Sequence, residues 1–330
     1  MTHLRHQPFI TAATLLLFGV LHCLPGHTQM RFSYGGGFEQ PRWVIEAGVQ
    51  GGIMNCVTDI MGARYSSVQG PFSGVTLRKS RPTAGLYGSL FWHDRVGLRL
   101  EVNAGSVEGY DSLLRGATSP TAIGRFDRNL NFRSPITEVQ LSTELHPFMI
   151  MSHGDRETPR FSPYLILGGS WFRFYPRGLT DAGWVDLPPL RLEGQGFAEY
   201  PDRPVYKLNA MAWNAGIGFK YEVSPRVVLR FEINKRTTNT DYLDDVSRPE
   251  WINPALFFNY LTPAQATLAS FMYNRSVTIN PPRNTRPRGN INENDAYWSA
   301  VFKFGFNLNK SGYYPGSRQS LLRQMRCTKF

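Results

Sequence analysis

The stretch Val96-Gly97-Leu98-Arg99-Leu100-Glu101-Val102-Asn103-Ala104-Gly105 decides the fold. Side chains of an extended chain alternate between two faces, so Val96, Leu98, Leu100, Val102 and Ala104 share one face and Arg99, Glu101 and Asn103 share the other. Residues 227–234 repeat the pattern, with Val227, Leu229, Phe231 and Ile233 against Arg230, Glu232 and Asn234. Residues 296–308 extend it: Ala296, Trp298, Ala300, Phe302, Phe304, Phe306 and Leu308 face one way, Tyr297, Ser299, Lys303, Gly305 and Asn307 the other. Charge opposite unbroken apolar surface does not suit a soluble sandwich bounded by long polar loops. It suits a barrel with lipid outside and polar groups inside.

Five further stretches, 42–52, 83–92, 136–146, 163–174 and 208–222, have strand character, and each is near the roughly ten residues a tilted strand needs to cross a bilayer. The connections alternate in length. Residues 53–82, 106–135, 175–207 and 235–295 are long; Asp94-Arg95, 147–162 and Ser224-Pro225-Arg226 are shorter. The expected fold is all-β: an eight-stranded antiparallel transmembrane β-barrel with short periplasmic turns, long extracellular loops and both termini in the periplasm of a Gram-negative cell. Aromatic belts are expected from Trp43, Trp92, Tyr221 and Phe306 at the inner rim and from Phe172, Trp213 and Trp298 at the outer one.

A mean hydropathy of -0.31 does not count against this reading, because barrel strands spread their apolar residues thinly. Arg5, the apolar run Phe9 to Val20 and Gly26-His27-Thr28 give residues 1–28 the form of a secretory signal peptide. Residues 29–41 are then a periplasmic lead, 42–308 the barrel and 309–330 a basic periplasmic tail. The formal charge of +11 falls to +10 without Arg5. With a secretory leader, nucleic acid is excluded as the counter-charge; outer-membrane lipid, lipopolysaccharide phosphates or a periplasmic protein remain.

The polar strand faces place Glu46, Glu101, Glu138, Glu144, Glu222 and Glu232 in the lumen with Arg99, Arg173, Lys220, Arg230 and Lys303. Eight strands enclose a space that side chains fill, and charges removed from water must pair. A plugged barrel with an internal ion-pair network is expected, not a pore.

Chemistry-bearing patterns are sparse. The chain has no GxSxG, HExxH, Walker or CxxC pattern, and after the leader only His93, His146 and His153 remain, too dispersed for a zinc site. Ser142, Glu144 and His146 share one strand face, a poor arrangement for a triad because their spacing is fixed along a single strand. Neither catalysis nor a cofactor is expected. The cluster TTNTDYLDDVS at residues 237–247 holds Asp241, Asp244 and Asp245 but lacks EF-hand spacing, so it reads as a structured loop whose carboxylates meet arginines at the barrel mouth.

The same cluster, with Tyr242 among its residues, carries a resemblance together with NFRSPITEVQLSTEL at 131–145 and EAGVQGGIMNCVTDI at 46–60. Over about residues 42–308 the chain resembles the DUF6089 family of Bacteroidota outer-membrane β-barrels, which includes the barrel component of the type IX secretion system. The resemblance implies a non-enzymatic role in anchoring or organising a periplasmic ring built from a lipoprotein and its soluble partner. The chain departs from the family pattern at Cys56 and Thr58, in its expanded third and fourth outer loops and in the tail beyond the last strand.

In that tail Ser317 to Met325 can form a short helix, with Leu321, Leu322 and Met325 on one side and Arg318, Arg323 and Arg326 elsewhere. A docking peptide and a frayed terminus are both open. Cys56 and Cys327 are expected at opposite ends of a filled barrel, so either both are free or Cys327 bridges to another protein. Two functions remain: a scaffold for a periplasmic ring, or a surface module whose loop 235–295, rich in aromatics, binds an extracellular ligand or protein.

Overall fold

The computed structural model describes residues 42–60, 79–116, 120–151, 160–276, 287–291 and 294–310. The leader, the 29–41 lead and the tail residues Arg318, Leu321, Leu322, Arg323 and Cys327 lie outside the described residues. The strands are β1 (Trp43–Val57), β2 (Arg81–Trp92), β3 (Val96–Tyr110), β4 (Asn131–Leu145), β5 (Phe161–Phe174), β6 (Arg177–Thr180), β7 (Gly183–Asp186), β8 (Asn209–Glu222), β9 (Val227–Thr238) and β10 (Ala296–Asn307). Among the described residues four α-helices lie between them: α1 (Pro120–Arg128), α2 (Pro147–Met151), α3 (Phe257–Tyr260) and α4 (Pro263–Tyr273).

Eight strands close on themselves in the order β3-β2-β1-β10-β9-β8-β5-β4, with β3 against β4 and every pair antiparallel. The small hairpin β6–β7 hangs on the end of β4 through Arg133 and Arg177. Stepping from Glu46 across each ladder in turn, through Ser89, Arg99, Ser142, Gly168, Asn214, Arg236 and Tyr297, returns to β1 at Cys56, ten residues further along. That stagger requires the strands to tilt, by about 40° for eight strands. The β2–β3 turn is tight because His93 and Asp94 both take positive φ, 51° and 57°, the backbone of a type I′ hairpin.

Polarity is inverted relative to a soluble protein. Leu98, Leu141, Leu167, Ile217 and Phe302 are all about half exposed or more on the outer surface, while Glu46, Arg99, Glu138 and Glu144 have no solvent exposure inside. Such a surface is stable only against acyl chains. No helix among the described residues is long and apolar enough to cross a membrane. Trp43, Trp92, Tyr221 and Phe306 are exposed at the turn end, as a belt requires, and Trp213 is 80% exposed.

Several strands run past the ends that alternation predicts, β3 to Tyr110, β4 back to Asn131 and β9 to Thr238. Beyond the lipid the outward face becomes polar and the inward face apolar, so the pattern reverses while the ladder continues. Two expectations are corrected at this end of the barrel. Phe172 is fully buried, pointing in, and Arg173 is exposed, pointing out, so Arg173 does not belong to the lumen network. Trp298 is nearly buried and is not part of a belt.

At the loop end the barrel rises into an apolar cluster of Met54, Val107, Phe132, Phe172 and Phe174, closed from above by Leu243 and Val246 of the last long connection. A second core lies within the connections themselves: Leu187, Leu190, Leu192 and Phe197 from one pack against Ile252, Phe257, Ala266, Met272 and Tyr273 from the other. Helix α4 in this cap starts with a full capping box between Thr262 and Gln265, with Pro263 at its first position. The described parts of these two connections are thus folded structure, and the aromatics of the second divide between this core (Phe257, Tyr273) and the surface (Phe258, Phe271).

Two glycines make room for the lumen's tyrosines. A Cβ on Gly218 would collide with the Tyr164 ring, and one on Gly305 with the Tyr87 hydroxyl and Glu46 carboxylate. Gly305→Val is expected to cost about 1–3 kcal/mol or more through overpacking. The folded band on an unboiled gel should therefore be lost at a lower temperature, while Gly51→Val, whose Cβ meets nothing, leaves it unchanged.

Candidate functional site: the ionic lumen and its cap

Alternation on eight strands aims the inward polar residues at a common axis, where the closing stagger stacks them in tiers. At the turn end Lys220 faces Glu222 at 3.1 Å and Asp94 at 3.5 Å. Lys310, just after the last strand, reaches Asp94 and Glu222 at 2.9 Å each. Those two cations hold the Asp94 carboxyl down to about 2, against the opposing push of burial.

Above this tier Arg230 forms a two-pronged pair with Glu46, Nε to Oε1 and Nη2 to Oε2 at 2.7 Å each, and donates Nη1 to Glu144 at 2.7 Å. Its guanidinium lies over the rings of Phe91 and Tyr164, which replace water on its faces. Arg99 joins Glu101 at 2.8 Å, Glu144 at 3.2 Å and Glu232 at 3.1 Å. Lys303 spans Glu232, at 2.8 Å, and Glu101. Tyr87 donates to Glu46 at 2.8 Å and Tyr164 donates to Glu232. The uppermost ionic tier is Arg236 in a forked pair with Glu138, at 3.1 and 2.9 Å, beside Gln140, with Tyr297 donating to the same carboxylate.

Of the residues expected in the lumen, Glu46, Arg99, Glu101, Glu138, Glu144, Lys220, Glu222, Arg230, Glu232 and Lys303 are brought together, and Arg173 is not. Reading the sequence missed Arg236 because the seventh strand was ended at Asn234, although two more residues of alternation, Lys235 out and Arg236 in, were present. Lys310 and Asp94 lie outside the strands, and no periodicity identifies them. A void within the network, lined by Gln50, Glu101, Asn103, Glu232 and Arg236 among others, has room for a single water.

His146 meets Ser162 Oγ at 3.0 Å and Glu144 at 3.4 Å, while Ser142 takes a weak bond from Gln140 at 3.5 Å. Ser142 and His146 therefore serve different partners, and both are sealed inside the filled lumen. What these groups can do chemically is hold one another.

The acidic loop is corrected in its partners. Asp244 accepts backbone N–H bonds from Ile60 at 2.9 Å and Val246 at 3.0 Å, and Asp245, at a left-handed φ of 64°, accepts from the Tyr206 hydroxyl. Asp241 is buried beside them, and Tyr242 stacks on Tyr206 at 4.5 Å. Asp244 pins backbone and Asp245 a tyrosine hydroxyl rather than arginines; the arginines do other work. Arg128 grips Asp111 at 2.7 and 3.1 Å, the Asp59 carbonyl at 2.9 Å and the Arg288 carbonyl, tying three connections together. No group of side chains among the described residues is arranged to hold a metal ion. Cys56 is a buried free thiol; Cys327 lies outside the described residues.

No family model matches the chain, so the DUF6089 resemblance of its motifs is not confirmed by one, and no curated protein matches it. Solved structures do. The chain is similar to Ail, the attachment invasion locus protein of Yersinia pestis, in its complex with the heparin analogue sucrose octasulfate, with 9% identity, 80% of this chain and 97% of that chain covered and a TM-score of 0.32. It is also similar to Neisserial surface protein A, with 8% identity, 82% and 99% covered and a TM-score of 0.32. A third match is the outer membrane protein OprG from Pseudomonas aeruginosa, with 12% identity, 80% and 94% covered and a TM-score of 0.31.

Arg230→Ala leaves Glu46 and Glu144 buried without their shared cation, a loss of about 3–5 kcal/mol. The folded gel band should melt at a markedly lower temperature, and adding Glu46→Gln should recover part of the loss by removing one stranded charge. In planar bilayers the purified chain is expected to show no stepwise ion conductance. In the cap, burial, reinforced for Asp244 by the charge of Asp59, pushes Asp244 and Asp245 up to about 7. These folded-state values exceed the unfolded value of about 3.9, so the folded cap binds the extra protons and loses stability as pH rises from about 4 through 7. Proteinase K should cut within 239–295 faster at pH 8 than at pH 5.5, after normalisation to an unstructured peptide. The difference should shrink in Asp244→Asn.

Proposed function

We propose that this chain is a non-enzymatic, non-conducting outer-membrane barrel that works as a protein scaffold, with its turns and both termini in the periplasm and its cap outside the cell. The observation that carries this reading is the lumen, filled from Lys310 to Phe174 by paired charges and then by apolar side chains. A barrel whose lumen is filled in this way among the described residues acts through its ends. The three motifs similar to the DUF6089 barrels support a particular assignment: anchoring or organising the periplasmic ring of a type IX-like secretion apparatus, formed by a lipoprotein and its soluble partner.

A second reading has its own observation. The connections 175–208 and 239–276 build a cap with a separate core, and Phe258 and Phe271 remain about half exposed on it. Exposed aromatics on a rigid support suit binding of an extracellular protein.

Photo-crosslinking residues placed at Ser224 in a periplasmic turn and at Phe258 in the cap separate the two. Capture of a periplasmic lipoprotein through Ser224, with none through Phe258, is the expected result. Capture through Phe258 alone would replace the scaffold with the surface module.

A further inference from the structure

The hairpin β6–β7 meets β4 at a ladder position that sets arginine opposite arginine, Arg133 against Arg177. Directly opposed residues of an antiparallel pair share a face, and like charges there cost stability. The shared face is the outer one. Phe132, next to Arg133, belongs to the apolar cluster inside the barrel, and a Cβ on Gly178, next to Arg177, would strike Met272 and Leu187 of the cap core. Both arginines therefore point away from the interior, with side chains 34% and 47% exposed.

The two guanidiniums are held in the same manner. Arg133 donates Nε to Glu108 at 3.1 Å and lies over the Trp184 ring at 4.3 Å. Arg177 sets its Nε 2.8 Å from Asp186 and lies over the Tyr175 ring at 5.8 Å. A carboxylate at Nε and a ring on one face fix the plane of each fork, and the terminal Nη atoms have no hydrogen-bond partner among the described residues. The carboxylates do not cancel the charge. Glu108 is shared with Arg81 at 2.6 Å, and Arg173 is a further exposed cation on the adjoining β5, so four arginines face the two acids Glu108 and Asp186. Asp181, at the hairpin turn, acts on Arg275. Of the loop-end segments outside the described residues, 61–78, 117–119 and 277–286 contain no acidic residue, and Glu293 precedes β10, the strand opposite β4 in the ring of eight.

Depth selects the ligand. Val139 is the last large apolar residue exposed on the outer face of β4, and Arg133 lies six residues beyond it. With a rise of about 3.3 Å per residue and a tilt of about 40°, the pair stands roughly 15 Å beyond the acyl zone. The headgroup layer of an ordinary phospholipid extends only about 5–8 Å, so its phosphates lie below the pair. A phosphate carried on the sugars of lipopolysaccharide reaches this height, and two planar forks match its oxygens.

We propose that Arg133 and Arg177 form a binding site for a phosphate ester, supplied by the sugar head of the lipopolysaccharide that surrounds the cap. The bound anion removes the repulsion between the two arginines and ties the hairpin to the leaflet. The choice of leaflet rests on the orientation proposed above. The test is made in detergent solution, where either orientation gives the same result.

The full chain is titrated with deep-rough lipopolysaccharide, with the same lipopolysaccharide after chemical dephosphorylation, and with glucose 6-phosphate, and native mass spectrometry counts the molecules bound. The phosphorylated form is expected to bind about tenfold more tightly than the dephosphorylated one, the worth of a charge-assisted hydrogen bond, and more tightly than glucose 6-phosphate. That preference should fall to near unity in Arg133→Gln, Arg177→Gln and persist in Lys235→Gln, which removes an exposed cation from β9. In Arg133→Lys, Arg177→Lys, which keeps the charge and loses the fork, at least half of its logarithm should be lost. If the double glutamine variant shows no folded gel band, Arg177→Gln alone, outside the barrel wall, is expected to lose at least half as well. Wild-type preference in a folded glutamine variant, or none in the wild type, would overturn the proposal. Full preference in the lysine variant would replace the site with diffuse attraction, and equal affinity for glucose 6-phosphate would overturn lipopolysaccharide as the source of the ester.

Discussion

Burying charge inside a closed sheet constrains everything else in this molecule. Glu46 on β1, Glu144 on β4 and Arg230 on β9 come from widely separated parts of the chain, and each is fully or almost fully buried. A carboxylate in that position costs several kcal/mol unless its cation is present, and the cation is present only when the barrel has closed. Arg99 adds the same condition between β3, β4 and β9, and Lys303 between β10, β3 and β9. Closure and register are thus coupled to pairing. A slip of one residue in any ladder would turn these charges toward lipid and apolar side chains toward the axis.

Outside the bilayer the rules change within the same strands. The interior becomes apolar at Phe132, Phe172 and Phe174, while the outward positions take up Arg133, Arg173 and Lys235. Water now solvates the outer face, and the inner one is covered by the long connections. Burial there is achieved in the ordinary way, by hydrophobic contact in two cores, with Arg128 and Glu193 satisfying backbone groups that the irregular chain leaves exposed. One barrel therefore has two interiors, ionic in the lipid zone and apolar above it.

The boundary between these regimes explains which expectations succeed. Strands crossing lipid were legible because one solvent faces their whole outer surface; the eight crossings, their order and the inward set from Glu46 to Lys303 follow from alternation alone. Arg173 and Phe172 were exchanged because alternation was extended past the depth at which its polarity reverses. Arg236 was missed for a related reason, since Lys235 on the outer face interrupts the apolar series while the ladder continues. The partners of Asp244 and Asp245 could not be read at all. The Ile60 amide reaches Asp244 and the Tyr206 hydroxyl reaches Asp245 only after separate connections have folded together.

What this sequence determined by itself is its solvent and its architecture, because a period of two with grease on one face has few stable solutions other than a closed transmembrane sheet. The tertiary structure alone decided which charges pair, at what depth the barrel's polarity inverts, and how the long connections pack into a cap. Those depend on stagger and closure, which place residues from distant strands at the same height. No local pattern encodes that height, since it emerges only when the first strand meets the last.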